Sequence, residues 1–128
     1  MKAFTDLEQS KKLAEILPIE SADMFHFIHE VDTVGFGYKK EAAEFYSKTE
    51  FEYLPCWSLA ALLDIIPQEI FDGEYVINIT EGCDNRWVLT YDYYENRNHS
   101  YYGLSTGADN LIDACYEMII KLHEQKIL

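Results

Sequence analysis

The chain has 128 residues, a formal net charge of −13 at pH 7 and an apolar content of 48%. This length predicts a single domain over residues 1–128 with a core of its own. The excess of acidic residues disfavours direct binding to nucleic acid or to an anionic membrane surface, but it is compatible with a basic protein partner or a cation.

Membrane insertion and secretion are not predicted either. No stretch approaches the roughly 20 apolar residues of a transmembrane helix, and the N-terminal segment carries charges where a signal peptide needs an apolar region. We therefore expect a cytoplasmic protein. Cys56, Cys83 and Cys115 are widely spaced and form no CxxC pair, which predicts reduced thiols.

The N-terminal half begins with a capping box at Thr5–Glu8, which predicts a short amphipathic helix ending at Leu17. Residues 21–34 alternate between two sets of side chains, which favours a strand over a helix. Residues 39–48 fit either a short helix or a pair of strands, and the structure of 35–53 is left open. Residues 59–66 predict a compact apolar helix that is buried on most sides.

The last third of the chain changes to a period of two. One predicted face of the first two strands consists of Tyr75, Ile77, Ile79, Trp87, Leu89, Tyr91 and Tyr93. Turn residues at 81–85 and 95–98, followed by a short strand at His99–Leu104, predict an antiparallel meander over 74–104.

A final amphipathic helix is predicted at Asn110–Glu124, with Asp109 or Asn110 as its N-cap. Its main apolar stripe would cover one face of the meander. The expected fold is therefore α+β, an antiparallel sheet of three to five strands packed against two or three helices.

Three segments carry a resemblance to a known group of proteins. Residues 3–14, 53–63 and 108–119 resemble small proteins encoded in prophage and mobile-element regions of anaerobic gut bacteria. The resemblance implies a bacterial or phage setting and an intracellular location. It implies no catalytic residue at any position of this chain.

Two groups of residues suggest chemistry. His26, His29 and Glu30 would share one face of a helix and could hold zinc, but a strand points the two rings to opposite faces, so no metal site is predicted. Cys56 could be a nucleophile at a helix N-terminus, although a small buried residue that anchors the helix start is favoured. We assign no catalytic residue and no cofactor.

Tyrosines offer a different kind of site. Tyr91, Tyr93, Tyr94, Tyr101 and Tyr102, with Trp87, could form a stacking platform, although about half of them must face the core. Tyr94 and Tyr102 fall on the phase away from that face and are the candidates for a ligand or partner patch.

The final helix has a second apolar stripe, at Tyr116 and Ile120 with Ile127. This stripe could join two copies of the chain in a homodimer. A second wall of the same core, filled by the N-terminal helix, is slightly favoured over the homodimer.

These features support two hypotheses about function. The first is a non-enzymatic accessory protein of a phage or mobile element that acts by protein–protein interaction, in one version as an acidic decoy for a DNA-binding enzyme. The second is a small-ligand-binding domain or enzyme that uses the tyrosine-rich sheet face. A deep pocket lined by Tyr94, Tyr102 and a histidine would favour the second.

Overall fold

The computed structural model describes residues 2–28, 33–36, 52–82 and 84–128. Contacts divide the chain into an N-terminal unit, residues 3–61, and a C-terminal unit, residues 1–2 and 62–128. Each unit contains a sheet of its own, and the expectation of a single domain stays a prediction. The helices and strands in chain order are α1 (Leu7–Ile16), a 3₁₀ turn (Ile19–Ser21), β1 (Met24–Ile28), β2 (Thr33–Phe36), β3 (Glu52–Cys56), α2 (Leu59–Ile65), β4 (Glu69–Ile70), β5 (Tyr75–Glu81), β6 (Trp87–Tyr93), β7 (Asn96–Ala108) and α3 (Leu111–Glu124).

The N-terminal unit is built on a three-stranded antiparallel sheet with β1 in its centre. Met24 lies opposite Phe36 of β2 and opposite Cys56 of β3. The strand predicted within 21–34 is confirmed as β1, and β2 begins near the end of the same stretch. The open assignment of residues 39–48 lies outside the described residues.

Helix α1 begins one residue later than its sequence suggests. Asp6, not Thr5, is the N-cap: its carboxylate accepts from the Gln9 amide at 2.8 Å, and the Gln9 side chain accepts from the Asp6 amide at 3.1 Å. The Thr5 hydroxyl instead accepts from the Trp57 amide at 3.1 Å. The capping box predicted at Thr5 is therefore wrong, because a tertiary contact uses the hydroxyl that a local pattern assigned to the helix.

Helix α2 is less buried than its apolar composition predicts. Leu62 is the residue of this helix that is fully buried, whereas Leu63 is 37% exposed and Asp64 is exposed. Burial on most sides is wrong, because this two-turn helix buries one face only. An apolar run by itself does not tell whether one face or all faces of a helix are covered.

The C-terminal unit contains the predicted meander, in the order β4-β5-β6-β7 with antiparallel neighbours. The register pairs Tyr75 with Tyr93, Ile77 with Tyr91 and Ile79 with Leu89, which confirms that these side chains share one face. Burial decreases along that face, since Leu89 and Tyr91 are fully buried and Ile79 is 37% exposed.

Of the two predicted turns of the meander, the structure confirms the first and shifts the second. The first is confirmed, with Asn85 in the left-handed conformation at φ +61°. The second lies at Tyr94 and Glu95 rather than at 95–98, because Tyr93 already pairs with Asn96. Strand β7 consequently starts earlier and ends later than the short strand predicted at His99–Leu104.

Helix α3 packs on β6 and β7 and supplies much of the core of the C-terminal unit. Asn110 is its N-cap and accepts from the Asp113 amide at 2.8 Å, as predicted. Its buried residues are Ile112, Ala114, Cys115, Met118, Ile119 and Leu122. The α+β fold with an antiparallel sheet packed against helices is thus confirmed, although the strands form two sheets.

Candidate functional site

A buried polar cluster in the N-terminal unit collects the residues that the sequence suggests for chemistry. We call Thr5, Ser10, His26 and Cys56 the Thr5 cluster; all four are buried. The Thr5 hydroxyl lies 2.8 Å from Ser10 Oγ and donates to Cys56 Sγ at 3.7 Å. The Thr5 carbonyl lies 2.8 Å from His26 Nε2 and accepts from Cys56 Sγ at 3.4 Å. These bonds fasten the segment before α1 to two strands of the sheet.

The electrostatics of Cys56 do not suit a nucleophile. Burial raises the pKa of the Cys56 thiol and the Asp23 carboxylate raises it further, whereas hydrogen bonds from Thr5 and Ser10 oppose the shift. A reactive cysteine needs a lowered pKa and access to solvent. The predicted burial of Cys56 is confirmed, whereas its predicted role as the anchor of the helix start is wrong.

The start of α2 is held by a residue other than Cys56. Ser58 Oγ accepts from the Ala61 amide at 3.3 Å, while the Ser58 amide donates to Asp23 at 2.9 Å. Ser58 Oγ also contacts the second oxygen of the Asp23 carboxylate. Cys56 is the last residue of β3 and belongs to the sheet. Ser58, two residues later, caps the start of α2.

Of the three residues in the histidine constellation, His26 alone lies among the described residues. His26 lies on β1 and directs Nε2 to the Thr5 carbonyl, while His29 and Glu30 lie outside the described residues. Across residues 2–28, 33–36, 52–82 and 84–128, no group of three His, Cys, Asp or Glu residues is arranged to hold a metal ion.

The four candidate patch residues occupy three places in the C-terminal unit. Tyr94 lies in the β6–β7 turn and is 62% exposed, with the Arg97 guanidinium 5.5 Å from its ring centre. Tyr102 lies on β7 and is 98% exposed. Tyr116 and Ile120 of α3 are half-buried. The predicted exposure of Tyr94 and Tyr102 is confirmed, and a binding role for these four residues stays a prediction.

A second aromatic group forms a continuous surface. We call Phe71, Tyr75, Tyr93 and Tyr101 the Tyr75 cluster. Tyr75 lies 5.5 Å from Tyr93 and 5.2 Å from Tyr101 between ring centres, and Phe71 lies 5.0 Å from Tyr101 and 6.0 Å from Tyr75. Phe71 is 44% exposed and the tyrosines are half-buried. Four rings joined by contacts through Tyr75 therefore lie together at the surface, Phe71 exposed and the tyrosines partly so.

The length of α3 explains why these rings are only partly covered. Lys121 Nζ donates to the Ser105 carbonyl at 2.8 Å and Gln125 Nε2 to the Gly103 carbonyl at 3.2 Å, so the helix runs back along β7 and ends level with Gly103. Its 14 residues span about 21 Å, whereas the 13 residues of β7 span at most about 43 Å. The sheet end that carries Tyr101 lies beyond the helix.

Phe71 is held in an unusual backbone conformation. It has φ +53° and is followed by Asp72 at φ +55° and Gly73 at φ +85°. A bulky residue in this left-handed region costs about 1–2 kcal/mol, and such strain is concentrated at binding and catalytic sites. The loop thus places an exposed aromatic ring against Tyr101 in a conformation that glycine or asparagine would adopt more easily.

Carboxylates surround the Tyr75 cluster. The loop before β5 contributes Asp72 and Glu74, and the Glu69 carboxylate lies beside Gly73 in that loop. Glu95 accepts from the Tyr93 hydroxyl at 3.5 Å. The Glu95 carboxylate, burial and the Glu74 carboxylate, in that order, raise the pKa of the Tyr93 phenol. The cluster therefore sits in a field of negative charge.

Strand β7 has carbonyls that are already bound by side chains. The carbonyls of Gly103, Ser105 and Gly107, at alternate positions, accept from Gln125, Lys121 and Arg86. Alternate carbonyls of a strand point to the same edge, so these donors cap one edge of β7. A capped edge is a poor template for an added strand, which directs attention to the sheet face.

Among the surface depressions formed by described residues are two shallow ones of about 370 Å³ each. One, in the N-terminal unit, is lined by Phe4, Asp6, Leu7, Glu8 and His26. The other, in the C-terminal unit, is lined by Asp84, Arg86, Val88, Ser105, Thr106 and Gly107. Tyr94 and Tyr102 line neither depression.

Sequence reasoning assigned Tyr75 and Tyr93 to the core face and singled out Tyr94 and Tyr102 instead. The assignment to the face is right, but the face is longer than the helix that covers it. The signal available in the sequence was the predicted helix length, which is too short for a meander of this size. Nothing in the sequence pattern predicts the left-handed backbone conformation of Phe71.

Among the residues described, no helix combines the length and the apolar character needed to cross a membrane. Comparison with protein-family models, with curated proteins and with solved structures finds no match for this chain.

Proposed function

We propose that this chain is a non-enzymatic cytoplasmic domain that acts by binding another protein, as an accessory protein of a phage or mobile element. The observation that supports it best is the Tyr75 cluster, in which four aromatic rings form a connected group at the surface. Clustered exposed aromatic surface marks interaction sites, and tyrosine is among the residues that dominate binding energy at interfaces.

The state of the most reactive side chains also supports a non-enzymatic role. Cys56 is fully buried and its thiol pKa is raised, and Cys115 in the core of the C-terminal unit has a pKa raised by burial to about 12. His26 is buried against the Thr5 carbonyl. Each of these groups supports the fold in its present surroundings.

The resemblance of residues 3–14, 53–63 and 108–119 to mobile-element proteins supports the biological setting. The net charge of −13 supports a partner that carries basic surface. The acidic-decoy version differs in where a partner would bind, since a DNA-binding enzyme would contact rows of carboxylates and not aromatic rings.

Affinity capture with matched variants tests the proposal. The immobilised chain is exposed to a lysate of an anaerobic gut bacterium, beside Phe71→Asn in the Tyr75 cluster and Ile19→Asn, an exposed apolar residue of the N-terminal unit. We expect a protein that is retained by the parent chain and by Ile19→Asn and is lost with Phe71→Asn.

Other outcomes argue against the aromatic site or against the function. Equal capture by all three chains, with release by duplex DNA, would support the decoy version and remove the Tyr75 cluster. Capture of no protein, combined with binding of a free sugar or nucleotide by the parent chain, would overturn the proposal in favour of a small-ligand domain. Self-association lost only in a Tyr116→Ser chain would replace it with the homodimer.

A further inference from the structure

We propose that the Tyr75 cluster binds lysine or arginine side chains from a basic segment of the partner protein. This inference rests on the proposed function and specifies the chemistry of its site. It is drawn from the ring geometry, from the charges around the rings and from a contact of the same kind elsewhere in the C-terminal unit.

The rings of the Tyr75 cluster are steeply inclined to one another. Their interplanar angles are 82° between Phe71 and Tyr75, 69° between Tyr75 and Tyr101 and 52° between Tyr75 and Tyr93. An aromatic face carries partial negative charge and attracts a cation within about 6 Å of its centre. The ring centres lie 5.0–6.0 Å apart, so an ammonium or guanidinium group that binds to one ring of the cluster also lies close to its neighbours.

The surrounding charge favours a cation over a neutral or anionic ligand. Residues 69–76 and 92–101 form the cluster and its surroundings, and their exposed carboxylates are Glu69, Asp72, Glu74 and Glu95. Arg97 is the only lysine or arginine in those two segments. A phosphate would be repelled here, and a neutral sugar would gain nothing from the field.

The adjacent turn already contains the proposed type of contact. The Arg97 guanidinium lies 5.5 Å from the Tyr94 ring centre, within the range of a cation–π interaction. Arg97 therefore contacts Tyr94, whereas the charged residues next to the rings of the Tyr75 cluster are carboxylates. A partner's basic side chain would supply for these rings what Arg97 supplies for Tyr94.

The spread of the carboxylates favours a segment with several basic residues over one small cation. Asp72 and Glu74 lie in the loop before β5, whereas Glu95 lies in the β6–β7 turn. One basic side chain of the segment would contact the aromatic rings, and the basic residues next to it in that segment would pair with the carboxylates of both loops. Contacts of this kind weaken as salt is raised, because exposed charges are screened beyond about 10 Å at 0.1 M ionic strength.

A peptide titration of the full chain tests the inference. The probe is a blocked heptapeptide, Gly-Lys-Gly-Arg-Gly-Lys-Gly, followed by tyrosine ring resonances in NMR, with a peptide of glutamine in place of lysine and arginine as the neutral control. We expect binding of the basic peptide with shifts at Tyr75, Tyr93 and Tyr101. Tyr101→Ala should weaken it about two- to fivefold, as one exposed cation–π contact is worth.

Conservative variants separate recognition from folding. Tyr101→Phe keeps the ring face and should bind within twofold of the parent chain, and Glu74→Gln with Glu95→Gln should weaken binding and reduce its dependence on salt. Equal binding of the neutral peptide, or shifts confined to Tyr94 and Tyr102, would overturn the inference. If Phe71→Asn abolishes protein capture while the basic peptide does not bind, the proposed function stands and only the basic ligand is wrong.

Discussion

The Thr5 cluster and the Tyr75 cluster are both groups of four side chains that suggest function, and they differ in what surrounds them. In the Thr5 cluster the polar atoms are buried and bonded to one another, with Thr5 linked to Ser10, His26 and Cys56. In the Tyr75 cluster apolar rings reach solvent although they belong to the core face of a sheet.

From this difference we infer that the type of a residue is a weaker guide to function than its surroundings. A side chain that no other part of the fold covers is the better candidate for binding. A histidine, a cysteine and two hydroxyls look chemical in a sequence, yet bonds that hold a chain segment onto a sheet account for them. Strand tyrosines look structural, yet they have no covering helix where they lie. We therefore expect changes in the Thr5 cluster to affect folding and changes in the Tyr75 cluster to affect binding.

The largest effect is expected for Thr5→Val, which keeps the side-chain shape and removes the hydroxyl. The buried Trp57 amide then loses its acceptor, and leaving such a donor unbonded costs about 1–3 kcal/mol of unfolding free energy. Urea unfolding followed by circular dichroism measures the loss. Thr5→Ser is the matched control, because it keeps the hydroxyl and gives up one buried methyl, about 0.8 kcal/mol. A Val variant as stable as the parent chain would contradict a structural role for the cluster.

The next effect is a loss of stability at alkaline pH. Burial raises the folded-state pKa of Cys56, and that of Cys115 to about 12, above the ordinary thiol value of 9.0. Below pH 9.0 both thiols are protonated in the folded and unfolded states, so their contribution is fully present. For Cys115 the unfolded thiol ionises first between pH 9.0 and about 12, and stability falls there by up to about 1.4 kcal/mol per pH unit. The raised pKa of Cys56 adds a loss in the same direction.

Urea unfolding at several pH values measures this slope. We expect Cys115→Ala to reduce the slope although the cavity lowers stability at every pH. An unchanged slope in that chain would show that Cys115 ionises as readily in the folded state as in the unfolded state. Rapid labelling of a Cys83→Ser chain by a thiol reagent would show that Cys56 or Cys115 is accessible to solvent in the folded state, which would also contradict this prediction.

The smallest effect on stability is expected for Phe71→Asn. Asparagine tolerates φ +53° better than phenylalanine, which offsets the lost packing of the ring on Tyr101. The unfolding free energy should stay within about 1 kcal/mol of the parent chain while partner binding is lost. A loss of several kcal/mol would place Phe71 with the core residues and remove the contrast between the two clusters.

Much of the fold could be predicted because local patterns and tertiary packing agree there. The period of two in β5 and β6, the turn at Asn85 and the Asn110 cap each depend on neighbouring residues in the chain. Where the local pattern and the tertiary packing disagree, the prediction is wrong. Thr5 has the form of an N-cap but bonds to Trp57, and the apolar run of α2 buries one face only.

The fold class, the shared face of Tyr75 and Tyr93 and the exposure of Tyr102 could be predicted from the residue order, because the period of two along the strands indicates them. Which part of that face is covered depends on how the elements pack. Helix α3 ends level with Gly103, because a helix rises less than half as far per residue as the strand beside it.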